Sequence, residues 1–272
     1  MRPAVRSLSA AALLLATVVA GSCAGRPPGE LLVFAGVGLT DVLQAQAARF
    51  TSDQGVPPST IRFHFHASNT CALQIRQGAP ADLFISADDA ILLGMMQGGM
   101  LARGGYQRLV SNRLALVTPA RHPSPIKAMR DLAAGGWRRL AIGNPESVPA
   151  GRYARSALMS LGLWEAVSGR LLPAEHIRQA LLYVASGEAE AGIVFLTDAA
   201  SSREVEIVEV ISPQHTPPII FSGGVLRSAR NPGAARAFLR FLVSEEAAAI
   251  WRRFGFPPLR EQPGGTGIPT DN

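Results

Sequence analysis

Gly143-Asn144-Pro145-Glu146-Ser147-Val148-Pro149-Ala150-Gly151-Arg152-Tyr153-Ala154-Arg155-Ser156-Ala157-Leu158 is the stretch from which the rest of the chain can be read. An apolar strand, Leu140-Ala141-Ile142, runs into a loop with two prolines, and a helix opens at Ala150. Pro149 fixes the backbone just before that opening. The first N–H groups of a helix have no partner within it, and the aligned peptide dipoles add partial positive charge there. Such an end binds an anion without a side-chain cation.

Outward from this unit the same alternation repeats. Strands are expected at 31–35, 61–66, 82–86, 113–118, 139–142 and 192–195, with an edge strand at 206–211. Helices are expected from Thr40 or Asp41 to Phe50, from about Thr70 to Gln77, from Asp88, over 175–185, and near 232–243 and 244–253. Strands alternating with helices predict an α/β protein with parallel sheets, whose ligands bind at the carboxyl ends of the strands. Polar or glycine-bearing segments near 110–113 and 222–225 are candidate crossing points. They divide the chain into a first lobe, 30–111 plus 224–261, and an inserted second lobe, 112–223. The tail, 262–272, is rich in Pro and Gly and reads as disordered.

Residues 1–24 have the layout of a signal peptide. Arg2 and Arg6 precede an apolar run from Leu8 to Ala20, and small residues follow. Two cleavage patterns are open: an ordinary site after Ala24, or a lipobox ending before Cys23, which would leave a lipid anchor. No further membrane-spanning run follows. The chain carries a formal net charge of +6, scattered rather than clustered, which argues against a nucleic-acid partner. Its single lysine, Lys127, has no glycines before it, so there is no P-loop. Cys71 alone is certain to survive processing, and a disulfide framework is excluded.

Three more junctions share the chemistry of Ala150. Gly36-Val37-Gly38-Leu39-Thr40-Asp41 places glycines before capping residues, Ala67-Ser68-Asn69-Thr70 places hydroxyls and an amide before a helix, and Pro173-Ala174-Glu175-His176-Ile177-Arg178 opens another. The first also imitates a dinucleotide fingerprint. Its third glycine is missing, and the next strand ends in His66 rather than an acid that could hold a ribose, so no nucleotide cofactor is expected.

Over 31–259 the chain resembles the periplasmic molybdate-binding proteins of ABC importers. The resemblance is carried by Val33-Phe34-Ala35 with Leu39-Thr40, by Gln74-Ile75 with 78–88, by 143–158, by Pro173-Ala174-Glu175, by Gly192-Ile193-Val194 and by Arg253-Phe254-Gly255-Phe256. It implies a two-lobed type II periplasmic binding fold that holds molybdate or tungstate in its cleft, with a membrane permease and its ATPase as partners. It implies no cofactor and no catalysis, and the chain is expected to act as a monomer. The positions matching that family's ligand site are Gly38 and Ser68 from the first lobe, and Ala150, Ile177 and Phe195 from the second. All are neutral donors, through backbone N–H groups or a hydroxyl. Phosphate, which carries a proton at neutral pH, needs an acceptor that such a site lacks. Sulfate is smaller than the cavity the resemblance implies.

Two positions depart from that pattern. Gly38 stands where serine is usual and Phe195 where tyrosine is usual, so two hydroxyl donors are missing, together about 3–6 kcal/mol. Water or Asn69 could fill in, a protonated His66 could partly compensate, the site could bind weakly, or the ligand preference could differ. His64 and His66 share a strand face, but no third metal ligand lies near them in sequence. A rival of another class is a thiol enzyme that uses Cys71 with His66. The acids in the matching segments, Asp82, Asp88 and Glu146, read as loop anchors and caps.

Overall fold

The computed structural model describes residues 29–259 apart from positions 56, 58, 59 and 123. The leader, with Cys23, and the tail over 262–272 lie outside the described residues.

Two five-stranded sheets, each covered by helices, form the two lobes. The first has the order β2-β1-β3-β10-β4, built from β1 (Leu31–Gly36), β2 (Ile61–His66), β3 (Leu83–Ser86), β4 (Leu101–Ser111) and β10 (Ile220–Leu226). The second has the order β7-β6-β8-β5-β9, built from β5 (Leu114–Pro119), β6 (Leu140–Gly143), β7 (Leu171–Ala174), β8 (Ala191–Phe195) and β9 (Val205–Val210). In each sheet four strands run one way and one runs against them. β10 runs antiparallel to β3 and β4, and β5 runs antiparallel to β8 and β9. The expected parallel sheets are therefore mixed. The physical reason is the connection: β5 and β10 each arrive from the other lobe and enter their sheet from the opposite end.

β4 passes to β5 of the other sheet through Asn112 and Arg113. The second crossing falls at 211–219, ahead of β10, and not near 222–225. Ile220, Phe221 and Ser222 are already paired with β4. Gly223 and Gly224 read as a break, but they leave room for Leu239 and Leu92 to pack on β10.

The helices are α1 (Thr40–Asp53), α2 (Ser68–Arg76), α3 (Asp89–Gln97), α4 (Pro149–Ser160), α5 (Trp164–Val167), α6 (Ile177–Ala185), α7 (Leu196–Ala200), α8 (Pro232–Phe241) and α9 (Glu245–Arg253). Among the described residues no helix is long and apolar enough to cross a membrane. β1, β2, β6 and β8 run directly into segments that face the opposite lobe. The sheets thus aim four chain turns at one place, and that place is the cleft.

Buried aromatic rings tie the cleft to the outside of the first lobe. Trp251 of α9 packs on Phe256 at 5.2 Å between ring centroids, Phe256 on Phe221 at 5.7 Å, and Phe221 on Phe195 of the second lobe at 5.2 Å. Asp82 is fully buried and anchors the first lobe. Its Oδ2 accepts from the Leu32 N–H, and its Oδ1 accepts from the N–H groups of Arg230 and Asn231.

Candidate functional site

Between the lobes lies a small cavity with about 20 Å³ of room for atom centres. One water needs roughly 10–15 Å³ by the same measure, so the space is compact. Gly38, Ser68, Ala150, Ile177 and Phe195 all line it, together with Gly36, Val148 and Phe221. These five residues, expected from sequence, come from five separate segments and meet here.

The helix ends explain what the cavity offers. Three helices are capped by side chains: Asp88 accepts from the Ala90 N–H, Asn231 from Ala234 and Ser244 from Ala247. The helices that open on the cavity are capped differently. α2 begins after Ala67, α4 after Val148 and α7 after Phe195, and none of these side chains can accept a hydrogen bond. For α6 the His176 ring accepts from the Gln179 N–H, leaving the earlier Ile177 N–H for another acceptor. First-turn N–H groups without a protein partner need an external one. Ser68 adds a hydroxyl. Its Oγ accepts from the Ala87 N–H at 3.0 Å, which leaves its own proton to donate.

No charged side chain lines the cavity. Two arginines lie just inside the helices that open on it, and both are taken up by carboxylates. Arg152 of α4 donates to Asp88 Oδ2, and Tyr153 donates to Asp88 Oδ1 at 3.3 Å. Burial, and then the charge of Asp88, push the Tyr153 hydroxyl far above its ordinary value, so it remains a donor. Arg178 of α6 donates to Asp41 of α1, and its Nε lies 3.1 Å from Asp198 Oδ1. Asp88 and Asp41 belong to the first lobe, whereas Arg152 and Arg178 belong to the second. Each pair therefore ties the lobes together while keeping positive charge out of the cradle.

Sequence reasoning singled out neither these cross-lobe pairs nor Asp198. The available signal was an acid three positions after the end of a buried strand, in Phe195-Leu196-Thr197-Asp198. Asp198 bears directly on Gly38. A Cβ added at Gly38 would stand 2.9 Å from Asp198 Oδ2 and 3.2 Å from Oδ1. Serine at this position cannot simply restore a donor, because the Asp198 carboxylate occupies the space its Cβ needs. Gly38→Ser is accordingly expected not to tighten anion binding.

Phe195 presents a different case. Its ring is buried against Phe221 and 6.4 Å from Tyr153, and it forms the apolar floor of the cavity. A hydrogen bond to a charged group contributes about 1.5–3 kcal/mol. Phe195→Tyr is expected to tighten oxyanion binding by roughly ten-fold or more, measured by titration calorimetry.

His66 and Asn69 do not line the cavity. They face a neighbouring pocket of about 250 Å³ at the cleft mouth, with Thr70, Asn144, Ser147 and Glu175. The His66 Nδ1 accepts from the Ala67 N–H at 2.8 Å. Lying outside the cavity, His66 does not replace a lost donor there. The His176 ring stands 6.0 Å away across the cleft, and burial and the charge of His66 lower its pKa. The His64 ring lies tilted against Phe34 at 4.4 Å between centroids and bonds Gln74 at 2.8 Å. Among the described residues no group of three or more His, Cys, Asp or Glu side chains could hold a metal ion.

The thiol-enzyme reading fails on geometry. Cys71 is fully buried, its Sγ lies 3.6 Å from the Ala35 carbonyl oxygen, and burial pushes its pKa up to about 11. The nucleophile is the thiolate, and this thiol keeps its proton. An aromatic disulfide reagent is expected to leave Cys71 unmodified in the native chain and to label it only after unfolding. Rapid stoichiometric labelling of the native chain would contradict this. Asp88 caps α3, and Glu146 pairs with Arg155 at 2.6 Å. Both acids are anchors, as their positions in loops suggested.

Comparison with known proteins agrees with the geometry. Residues 31–257 match the family model described as bacterial extracellular solute-binding protein. The molybdate-binding protein ModA of Escherichia coli is 36% identical over 234 residues, covering 84% of this chain and 89% of the relative. ModA of Haemophilus influenzae is 34% identical over 233 residues, again covering 84% and 89%. Among solved structures, the periplasmic molybdate-binding protein of Azotobacter vinelandii superposes with a TM-score of 0.75, covering 85% of this chain and all of the other. Its 24% identity makes that a likeness of fold alone. With two lobes of one topology, a cleft lined by neutral donors and a family match over nearly all the described residues, the chain belongs to the bacterial extracellular solute-binding protein family and has the two-lobed type II periplasmic binding fold.

Proposed function

We propose that this chain captures one tetrahedral dianionic oxyanion, molybdate or tungstate, between its lobes and hands it to a membrane permease driven by an ATPase. The observation that carries this reading is the cavity itself. Five neutral donor positions converge on one compact space, and both nearby arginines are neutralised by carboxylates. Gly38, Ala150, Ile177 and Phe195 donate backbone N–H groups, and Ser68 donates its hydroxyl. The relatives named molybdate-binding proteins support the choice of ligand.

A cradle made only of donors fits a fully deprotonated anion and leaves the proton of hydrogen phosphate without an acceptor. The chain works outside the membrane as a monomer and catalyses nothing. Binding draws the lobes together, so the ligand receives donors from both only in the closed form. The pairs Asp88–Arg152 and Asp41–Arg178 hold that form on either side of the cavity.

Calorimetric titration of the mature chain with molybdate, tungstate, sulfate and phosphate at equal ionic strength tests the reading. Molybdate and tungstate are expected to bind one per chain, and phosphate not at all. Failure of all four to bind would overturn the proposal. Phosphate binding more tightly than molybdate would overturn the donor-only account of selectivity.

A further inference from the structure

Asp198 is 1% exposed, and neither of its carboxylate oxygens has a hydrogen-bond partner. The Arg178 Nε lies 3.1 Å from Oδ1, but off the line a hydrogen bond requires, so the contact supplies charge without a directed donor. That guanidinium is shared, because its Nη2 donates to Asp41. Two carboxylates thus face one cation, and the pair of them is in excess by one negative charge. Asp41 can lean on solvent, its side chain being 48% exposed, but Asp198 cannot. The Asp198 carboxylate also lies against Gly38 of the cavity wall, 2.9 Å from where a Cβ of that residue would stand.

A buried, incompletely paired negative charge one residue behind an anion cradle opposes the arrival of a dianion. We infer that Asp198 is a positioning residue that couples oxyanion capture to the uptake of one proton from solvent: it is ionised before the anion arrives and neutral once the anion is held. This inference rests on the proposed oxyanion reading of the cavity. The chemistry is simple to balance, since the carboxylate oxygen gains a proton released by the buffer and no other bond changes. Burial, opposed by Arg178 and helped by Asp41, already pushes the Asp198 pKa up to about 6. An adjacent dianion raises it further, because a like charge disfavours the ionised form. Linkage then requires the reverse effect, so protons must tighten anion binding. The other titratable groups facing this region are Arg178, Asp41 and, at the cleft mouth, His66 and His176.

The test is molybdate titration of the wild-type chain near pH 7 in two buffers of different ionisation enthalpy. About one proton is expected to be taken up per anion, and affinity to fall by up to ten-fold per unit between about pH 6 and 8. Asp198→Asn is expected to abolish the uptake while molybdate still binds. In a variant carrying both His66→Gln and His176→Gln the uptake is expected to persist. Because Asp198→Asn could disturb folding, the wild-type Asp198 carboxyl ¹³C resonance gives an independent reading, and it is expected to move to its protonated value when molybdate is added. Molybdate binding with no proton uptake, or with uptake unchanged by Asp198→Asn, overturns this inference alone. If no oxyanion binds at any pH, the reading of the cavity falls with it.

Discussion

Replacing Gly151 by alanine is expected to cost about 3 kcal/mol or more of folding stability and to weaken oxyanion binding at the same time. A Cβ at this position would lie 2.0 Å from the Gly143 carbonyl oxygen, 2.5 Å from its carbon and 2.7 Å from the Asn144 oxygen. All three are backbone atoms, so no side chain can swing aside. The loop that bears them is itself held: the Asn144 N–H donates to the Ala174 oxygen at 2.8 Å, and the Val148 N–H to the Asn144 oxygen at 2.8 Å. Relief therefore requires α4 to lift off the end of β6. That movement carries Ala150 out of the cradle, which is why stability and affinity should fall together. Urea unfolding and calorimetry measure the two effects. Gly169→Ala is the control, since nothing lies within 4 Å of a Cβ there, and its effect should stay within about 0.5 kcal/mol.

The second large effect is expected from Arg178→Met. Removing one partner from a buried charge pair typically costs 3–5 kcal/mol, and Asp198 would lose the cation 3.1 Å from its Oδ1. The lower end, about 3 kcal/mol, is expected at pH 8, because Asp198 can escape the penalty by taking a proton. The sign follows from the direction of its shift. Its folded pKa, about 6, lies above its ordinary value of 3.8. The stability linked to its protonation is fully present below that ordinary value and is lost as pH rises through the folded one. Without Arg178 the folded value climbs further, and the loss moves to higher pH. Stability measured by chemical denaturation should therefore differ more between wild type and Arg178→Met at pH 8 than at pH 5.5. A difference independent of pH would mean that Asp198 does not carry the charge assigned to it. The same variant cuts the contact to Asp41 across the lobes, so closure should weaken as well.

Much of this molecule was legible as sequence because it is written in local chemistry. Leu31 to Ala35 and Gly192 to Phe195 are continuous or near-continuous apolar runs, Ile61 to His66 alternates apolar and polar, and each is a strand within a residue or so of where it was read. The helix opening at Ala150 was legible because a proline in the first turn and an uncapped start are both local signals. Three strands were not. β7 carries Pro173 and β4 carries Gly104 and Gly105, which break the pattern of a strand. β10 pairs with strands more than a hundred residues away, and its two glycines imitate a loop. The five cradle positions came from resemblance to a family, and geometry then brought them together. What sequence could not show is the set of carboxylates behind them. Asp198, Asp41 and Arg178 lie far apart along the chain, and their common purpose appears only once α1, α6 and α7 meet at Gly38. The same meeting turned an apparent missing donor at Gly38 into a position where a side chain has no space.

The central claim is that a neutral cradle between the lobes holds one oxyanion. Diffraction at the molybdenum absorption edge from crystals of the mature chain grown with molybdate tests it most directly. A single anomalous peak is predicted in the cavity, with its oxygens within hydrogen-bond distance of the Ser68 hydroxyl and the N–H groups of Ala150 and Ile177, and with no arginine in contact. A peak elsewhere, or one held by the guanidinium of Arg152 or Arg178, would contradict the account.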